Sequence, residues 1–218
     1  MKFVLVSTAR AGSSFVVRNL AKKFNIDFNY DEILNNKRNY EFFQKFGRGT
    51  VYVKNNRLVK LNNDTDDFYE CQLQSWKKSD VVSCKLLAHQ ILKAPNHITE
   101  GILNDADCVA YLYRKDSTAQ VYSAIISKKL KQHLPGYSHR HPRVETEDKT
   151  FIDITQEDFK SQSHDLLESN LCIKELLGKY PGKVYCLEDD FENKPYADTY
   201  NYNKNFIYNL QNIQDLFT

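Results

Sequence analysis

The pattern of apolar and polar residues divides the chain into short strands and longer helices. A continuous apolar run at residues 3–6 predicts a buried strand, and apolar positions at 16, 17, 20, 21 and 24 predict a helix soon after it. Small residues and one arginine fill the stretch between them, residues 7–14. A strand, a tight turn and a helix N-terminus together form an arrangement that binds phosphate, because the first amides of a helix have no intrahelical partners.

The same reading extends along the chain. Further strands are predicted at 26–30, 81–88 and 107–113. Residues 183–191 contain the last predicted strand and the residues by which the chain leaves it. Helices are predicted at 37–46, from 66 or 67 to 78, from 116 onward, from 154 to 177 and near the end of the tail at 200–217. Strands that alternate with helices indicate an α/β protein with a mostly parallel central sheet.

Two local motifs add detail to this pattern. Residues 49–61 contain two alternating runs around Asn55 and Asn56, and such a turn pair is typical of a β-hairpin. Thr155, followed by Asp158, is close to a capping box at a helix start. We therefore expect an inserted hairpin on the α/β core and a well-defined start for the helix after residue 154.

Composition restricts the classes of protein that fit. With 218 residues, of which 41% are hydrophobic, the chain is expected to form a single domain over residues 1–218. A net charge of +2 is too small to indicate nucleic-acid binding. Five cysteines without close pair spacing predict neither a disulfide framework nor a zinc site, and they fit a reducing compartment. No apolar stretch is long enough for a membrane span or a signal peptide, so we expect a soluble, cytoplasmic protein.

The loop at residues 7–14 does not match the common nucleotide-binding patterns. In the Walker pattern, the first glycine would fall at Ser7 and the lysine at Ser13. The dinucleotide pattern fails as well, because the loop has one glycine, Gly12. Gly12 allows the backbone to approach a ligand closely, Ser13 and Ser14 add hydroxyl groups, and Arg10 adds a fixed positive charge.

These residues read Thr-Ala-Arg-Ala-Gly-Ser-Ser from Thr8, and this stretch resembles a loop of the sulfotransferases that use 3′-phosphoadenosine 5′-phosphosulfate (PAPS). In that family the loop typically reads Pro-Arg/Lys-Ser-Gly-Thr/Ser-Thr/Ser and binds the 5′-phosphosulfate. Ala9 replaces the proline here, and Ala11 replaces the first serine. The resemblance implies that the donor is held by five residues of the loop: Arg10, Ala11, Gly12, Ser13 and Ser14.

A second motif follows the strand at 107–113. Arg114, Lys115, Asp116, Gln120 and Ser123 have the spacing of Arg-Arg-Asp-x-x-x-Gln-Ala-x-Ser, the pattern of the trehalose-type branch, which is close to other carbohydrate sulfotransferases. In the family, such an arginine and serine bind the 3′-phosphate of the donor. The resemblance implies this role for Arg114, Lys115 and Ser123. Which of the two cations binds stays open, since the register favours Lys115 and the planar guanidinium favours Arg114.

Candidate catalytic residues follow from the same resemblance. Glu32 lies just after the second predicted strand, in a segment similar to the family's Gly-Glu-Pro-Leu-Asn, whose glutamate is the catalytic base. Lys85 and His89 resemble a lysine that contacts the transferred group and a histidine base, but they lie four residues apart instead of two. Arg10 would stabilise charge on the transferred group. A surface acid for Glu32 and an ordinary loop histidine for His89 are the competing interpretations.

The resemblance therefore implies a PAPS-dependent sulfotransferase with a P-loop-type three-layer fold. It would transfer a sulfuryl group from PAPS to a hydroxyl of a small-molecule or carbohydrate acceptor, with no metal and with a lid at about 130–150. His139 and His141 lack further ligands for a metal site. The alternatives are a P-loop-type small-molecule kinase, against which the missing Walker lysine argues, and a non-catalytic nucleotide-binding protein. The acceptor and the oligomeric state stay open.

Overall fold

The computed structural model describes residues 1–26, 29–35, 51–54, 57–60, 65–133 and 153–191. The strands in chain order are β1 (Lys2–Ser7), β2 (Asn29–Glu32), β3 (Val51–Lys54), β4 (Arg57–Lys60), β5 (Val82–Leu87), β6 (Cys108–Tyr113) and β7 (Lys183–Cys186). The helices are α1 (Ser13–Lys23), α2 (Thr65–Lys77), α3 (Ala88–Ile91), α4 (Asn96–Asn104), α5 (Ser117–His133), α6 (Gln156–Lys179) and α7 (Leu187–Asp190). Several predictions concern residues outside these ranges: the helix at 37–46, most of the lid, His139 and His141, and the tail.

Five parallel strands form the central sheet in the order β2-β5-β1-β6-β7. Successive side chains of a strand point to opposite faces of a sheet. On β1, Val4 and Val6 accordingly join one apolar cluster, which also contains residues of α2, α4 and α6, whereas Phe3 and Leu5 join a second cluster with α1. Helices thus cover both faces of the sheet. The predicted P-loop-type three-layer α/β fold is confirmed.

The predicted hairpin is also present. β3 and β4 pair in antiparallel register from Val51 opposite Lys60 to Lys54 opposite Arg57, and they form a separate two-stranded sheet. The capping box is confirmed as well: the Thr155 hydroxyl accepts a hydrogen bond from the Asp158 amide, and the Asp158 carboxylate accepts one from the Thr155 amide. No helix in the described segments is both long and apolar enough to cross a membrane.

The predicted second strand was placed too early. Residue 26 lies in the turn that follows α1, where Asn25 adopts a left-handed conformation (φ 56°) and the Ile26 amide donates a hydrogen bond to the Ala21 carbonyl. This is a helix-ending motif that buries the following apolar residue, so Ile26 packs with α1. β2 begins at Asn29 instead, and Glu32 is its last residue rather than part of the following loop.

The chain after β5 also differs from the prediction. The strand ends at Leu87, and His89 lies in the short helix α3. The helix α4 was not predicted, although its isoleucines at 98 and 102 are fully buried at helical spacing. After β7, residues 187–190 form α7, whose last three residues are acidic. The two short helices, α3 and α7, directly follow the carboxyl ends of β5 and β7.

Candidate functional site

The loop between β1 and α1 lies at the carboxyl edge of the sheet, beside the point where the strand order reverses. β1 is flanked by β5 and β6, and ligands of open α/β sheets bind at such a point. Arg10 (φ 63°) and Gly12 (φ 78°) both adopt left-handed conformations, which turn the chain sharply into α1. Gly12 is the N-cap of α1 and provides no side-chain cap. The cap thus leaves the first amides of α1 open to an external acceptor.

Gln120 holds this loop from α5. Its side chain is 3% exposed, and its amide nitrogen donates to Thr8 Oγ1 and to the Ala9 carbonyl, both at 2.6 Å. Because one buried amide contacts two successive residues, it fixes the path of the loop before any ligand binds. The sequence pattern included Gln120 by its spacing but assigned it no role.

Arg10 contacts the other predicted phosphate motif. Its Nε donates to Ser123 Oγ at 3.0 Å, and both side chains are partly buried. The hydroxyl predicted for a 3′-phosphate is thus in contact with the guanidinium predicted for the 5′-phosphosulfate. The loop and α5 together form one positively charged position.

Lys85 connects the loop to Glu32. This lysine of β5 is 2% exposed, its Nζ donates to Ser14 Oγ, and Nζ lies 3.2 Å from Glu32 Oε1. The parallel pairing of β2 with β5 places Glu32 opposite Lys85, so the contact follows from strand register. A buried ammonium beside a helix N-terminus attracts an anion, as does the helix dipole.

Two amides bind the other oxygen of Glu32. Asn35 Nδ2 donates to Glu32 Oε2 at 2.6 Å, and Gln90 Nε2 donates to the same atom at 2.9 Å. Together with Lys85, they fix the orientation of the carboxylate. Neither amide was predicted from the sequence. Asn35 follows Glu32 at a short spacing, which is a signal for local contact, whereas Gln90 has no such signal.

The cations predicted for the 3′-phosphate are paired with acids. Arg114 Nε lies 3.3 Å from Glu188 Oε1, and Lys115 Nζ lies 2.5 Å from Asp189 Oδ2. The hydrogen bond to Asp189 raises the pKa of Lys115. The Lys115 amide also donates to the Glu188 carboxylate at 2.9 Å. A phosphate would have to replace these carboxylates of α7 to bind here.

The remaining predicted residues have different surroundings. Ala11 is fully buried in the α1 cluster, so it can contribute backbone atoms only, and Ser13 is buried in the first turn of α1. His89 is exposed on α3. In the part of the chain that the structure describes, no group of three or more His, Cys, Asp or Glu side chains could hold a metal ion.

Comparison with known proteins finds similarity in fold. No protein-family model matches the chain, and no curated protein does. A solved structure of shikimate kinase from Bacteroides thetaiotaomicron is similar over 87% of this chain and 89% of that chain, with a TM-score of 0.45 and 11% identity.

That protein belongs to the class that the sequence left as an alternative, a small-molecule kinase, and it is not a sulfotransferase. This finding contradicts the prediction that the chain transfers a sulfuryl group from PAPS. The family resemblance itself and the donor are tested by none of these comparisons and stay predictions from the sequence. At 11% identity, the similarity implies nothing about the substrate of this chain.

Proposed function

We propose that this chain is a nucleotide-dependent enzyme that transfers a phosphoryl group to a hydroxyl of a small molecule. The observation that carries the proposal is the continuous contact from Ser14 through Lys85 to Glu32. It places a buried cation between the phosphate loop and a carboxylate. A phosphate on the loop would therefore lie beside an acid that is able to take a proton from an attacking hydroxyl.

Lys85 also answers the main objection to a kinase, the missing Walker lysine. The Walker lysine would stand at Ser13, inside the loop. In this fold the ammonium comes from the neighbouring strand β5 and reaches the first turn of α1 at Ser14. The site thus has a buried lysine next to the phosphate-binding amides, although a different segment supplies it.

Different residues of the site would bind the phosphate chain and accept the proton. The amides at the start of α1, Arg10 and Lys85 would bind the phosphate chain and stabilise charge on the transferred group. Glu32 would accept the proton as the acceptor oxygen forms its bond to phosphorus and the bond to the leaving phosphate oxygen breaks. The products are a phosphate ester and a nucleoside diphosphate. General-base help of this kind contributes about 10²–10⁴-fold in rate.

Many phosphotransferases hold Mg²⁺ with a loop hydroxyl and a carboxylate. Ser14 stands at the Walker position of that hydroxyl, and Glu32 is the nearby acid. Both already contact the ammonium of Lys85, which occupies the place where a divalent cation would meet these two oxygens. The arrangement does not fit such an ion, and no step is assigned to one.

A comparison of donors tests the proposal. Calorimetric titration of the protein with ATP, GTP and adenosine 3′,5′-bisphosphate should show binding of a nucleoside triphosphate, and γ-labelled triphosphate should label an acceptor from a panel of hydroxyl compounds. Glu32→Gln should keep nucleotide binding and lose transfer, whereas Glu100→Gln, which removes an exposed acid on α4, should keep both.

Two outcomes would overturn this assignment. Binding of the 3′,5′-bisphosphate in place of any triphosphate would return the donor to the one predicted from the sequence. Binding of a triphosphate without transfer to any acceptor would leave a nucleotide-binding protein without this activity.

A further inference from the structure

The side-chain amide of Gln90 is hydrogen-bonded through its nitrogen, and its oxygen has no partner among the described residues. The side chain is 7% exposed, and Nε2 donates to Glu32 Oε2 at 2.9 Å. No atom of the described residues hydrogen-bonds to Gln90 Oε1. A buried carbonyl oxygen that lacks a donor is unusual in native proteins, where such groups are paired with protein, water or ligand.

The orientation of this amide follows from chemistry. An ionised carboxylate only accepts hydrogen bonds, so the NH₂ group of Gln90 must face Glu32. The two polar atoms of an amide share one carbon, and Oε1 therefore lies no farther from Glu32 Oε2 than the 2.9 Å hydrogen bond plus the width of one amide group. The base of the proposed reaction and an unused acceptor are side by side.

We infer that Gln90 Oε1 binds a second hydroxyl of the acceptor, adjacent to the hydroxyl that reacts, and that the substrate class is a vicinal diol or polyol. This inference rests on the proposed function, since it takes Glu32 as the group that receives the proton of the reacting hydroxyl. A hydroxyl is both donor and acceptor. One hydroxyl donates to Glu32, and its neighbour on the next carbon donates to Gln90.

The arrangement also predicts selectivity. An acceptor without the second hydroxyl would leave Oε1 buried and unpaired while the site is closed around the substrate. Sites that are built to hydrogen-bond a hydroxyl discriminate against analogues that lack it. A diol should therefore be used better than a mono-alcohol of the same skeleton by about tenfold in kcat/KM.

Matched acceptors test the inference. cis-Cyclohexane-1,2-diol and cyclohexanol are compared as phosphoryl acceptors for the wild type, Gln90→Leu and Thr99→Val. Thr99 is a control because it also has a buried hydroxyl without a partner among the described residues, and it lies on α4. We expect the wild type and Thr99→Val to prefer the diol. In Gln90→Leu, the ratio of kcat/KM for the diol to that for cyclohexanol should fall to about two, the factor expected because the diol has two hydroxyls that can react.

A binding measurement keeps the inference testable if Gln90→Leu does not fold. In the wild type with nucleotide bound, the side-chain amide resonances of Gln90 should shift on titration with the diol and stay in place with cyclohexanol. Equal use of both acceptors, after the statistical factor, would overturn the role of Gln90 and leave the proposed function intact. Absence of transfer to either acceptor and to the wider panel would overturn the proposed function, and a Gln90 resonance unmoved by the diol would overturn the inference.

Discussion

Arg10 Nε donates a hydrogen bond to Ser123 Oγ across 3.0 Å, although the two residues lie 113 positions apart in the chain. The contact joins the loop after β1 to the second turn of α5. The motifs that resemble two separate phosphate sites are therefore adjacent parts of one site. Arg10 also has a positive φ, a backbone conformation that favours glycine, whereas the hydrogen bond to Ser123 requires the arginine side chain.

Two substitutions of Arg10 should separate the effect of its backbone conformation on stability from the effect of its side chain on nucleotide binding. A non-glycine residue in the left-handed region costs about 1 kcal/mol relative to glycine, so Arg10→Gly should be more stable than Arg10→Ala by about that amount. Both variants lose the guanidinium, and both should bind nucleotide about tenfold or more weakly. Urea denaturation and calorimetric titration measure the two effects, with Arg18→Ala, an exposed arginine of α1, as the control. Wild-type affinity in Arg10→Gly would contradict the role of the side chain.

The pair formed by Lys85 and Glu32 should show strong coupling. Lys85→Met leaves the partly buried carboxylate without its cation, and loss of one partner of a buried pair costs roughly 3 kcal/mol in free energy of unfolding. Because the unpaired charge is removed as well, Lys85→Met combined with Glu32→Gln should cost less than the sum of the two single changes. A double-mutant cycle from urea denaturation measures this coupling. Additive costs would show that the two side chains do not interact.

Acid should weaken the start of α6 through Asp158. Burial alone would raise the pKa of this carboxyl, but hydrogen bonds from Lys129 and Thr155 outweigh burial and lower the pKa from 3.8 to about 2. A lowered folded-state pKa contributes stability that is present above pH 3.8 and is lost as the pH falls towards 2.

Asp158→Asn should therefore cost about 1 kcal/mol at pH 7 and should flatten the loss of stability between about pH 4 and 2. Thermal unfolding across this range gives the measurement, and Glu157→Gln, an exposed neighbour in the same turn, is the control. An unchanged pH profile in Asp158→Asn would assign the acid sensitivity to other groups.

Two glycines should respond to alanine in opposite directions. A Cβ at Gly182 would lie 2.2 Å from the Val109 carbonyl oxygen, a backbone atom of β6 that cannot move aside, so Gly182→Ala should destabilise the protein by about 1–3 kcal/mol. Gly178 lies within α6, and the Cβ that alanine would add there has no neighbouring atom within 4 Å, so Gly178→Ala should stabilise by about 0.5–1 kcal/mol. The midpoints of denaturant unfolding measure both effects. Unchanged stability of Gly182→Ala would show that β6 and β7 can move apart.

Much of the fold could be predicted because burial leaves a strong local pattern. β1 and β5 are buried along nearly their whole length; β1 reads as a nearly continuous apolar run, and β5 is apolar except at Ser83 and Lys85. The second strand was misplaced because Ile26 is apolar for another reason: it covers the end of α1 after the left-handed Asn25. The pattern of apolar and polar residues alone does not distinguish an apolar residue that ends a helix from the first residue of a strand.

The candidate site was harder to predict because its contacts join distant strands. Glu32 and Lys85 were each singled out, but their contact depends on the pairing of β2 with β5, which no local pattern states. Gln90 was missed because a polar residue in a short helix has no periodic signal. The pairing of Arg114 with Glu188 depends likewise on the register of β6 beside β7.

The central place of β1 in the sheet has a consequence for synthesis of the chain. β1 is made before its two partners, β5 and β6, with Lys2 opposite Val82 and Phe3 opposite Cys108. A nascent chain therefore carries an apolar strand with two open edges until both partners have left the ribosome, and such a strand is prone to aggregation. Lys85 lies on β5 and emerges in the same interval, so the proposed phosphate site can be complete only after β5 has paired with β1.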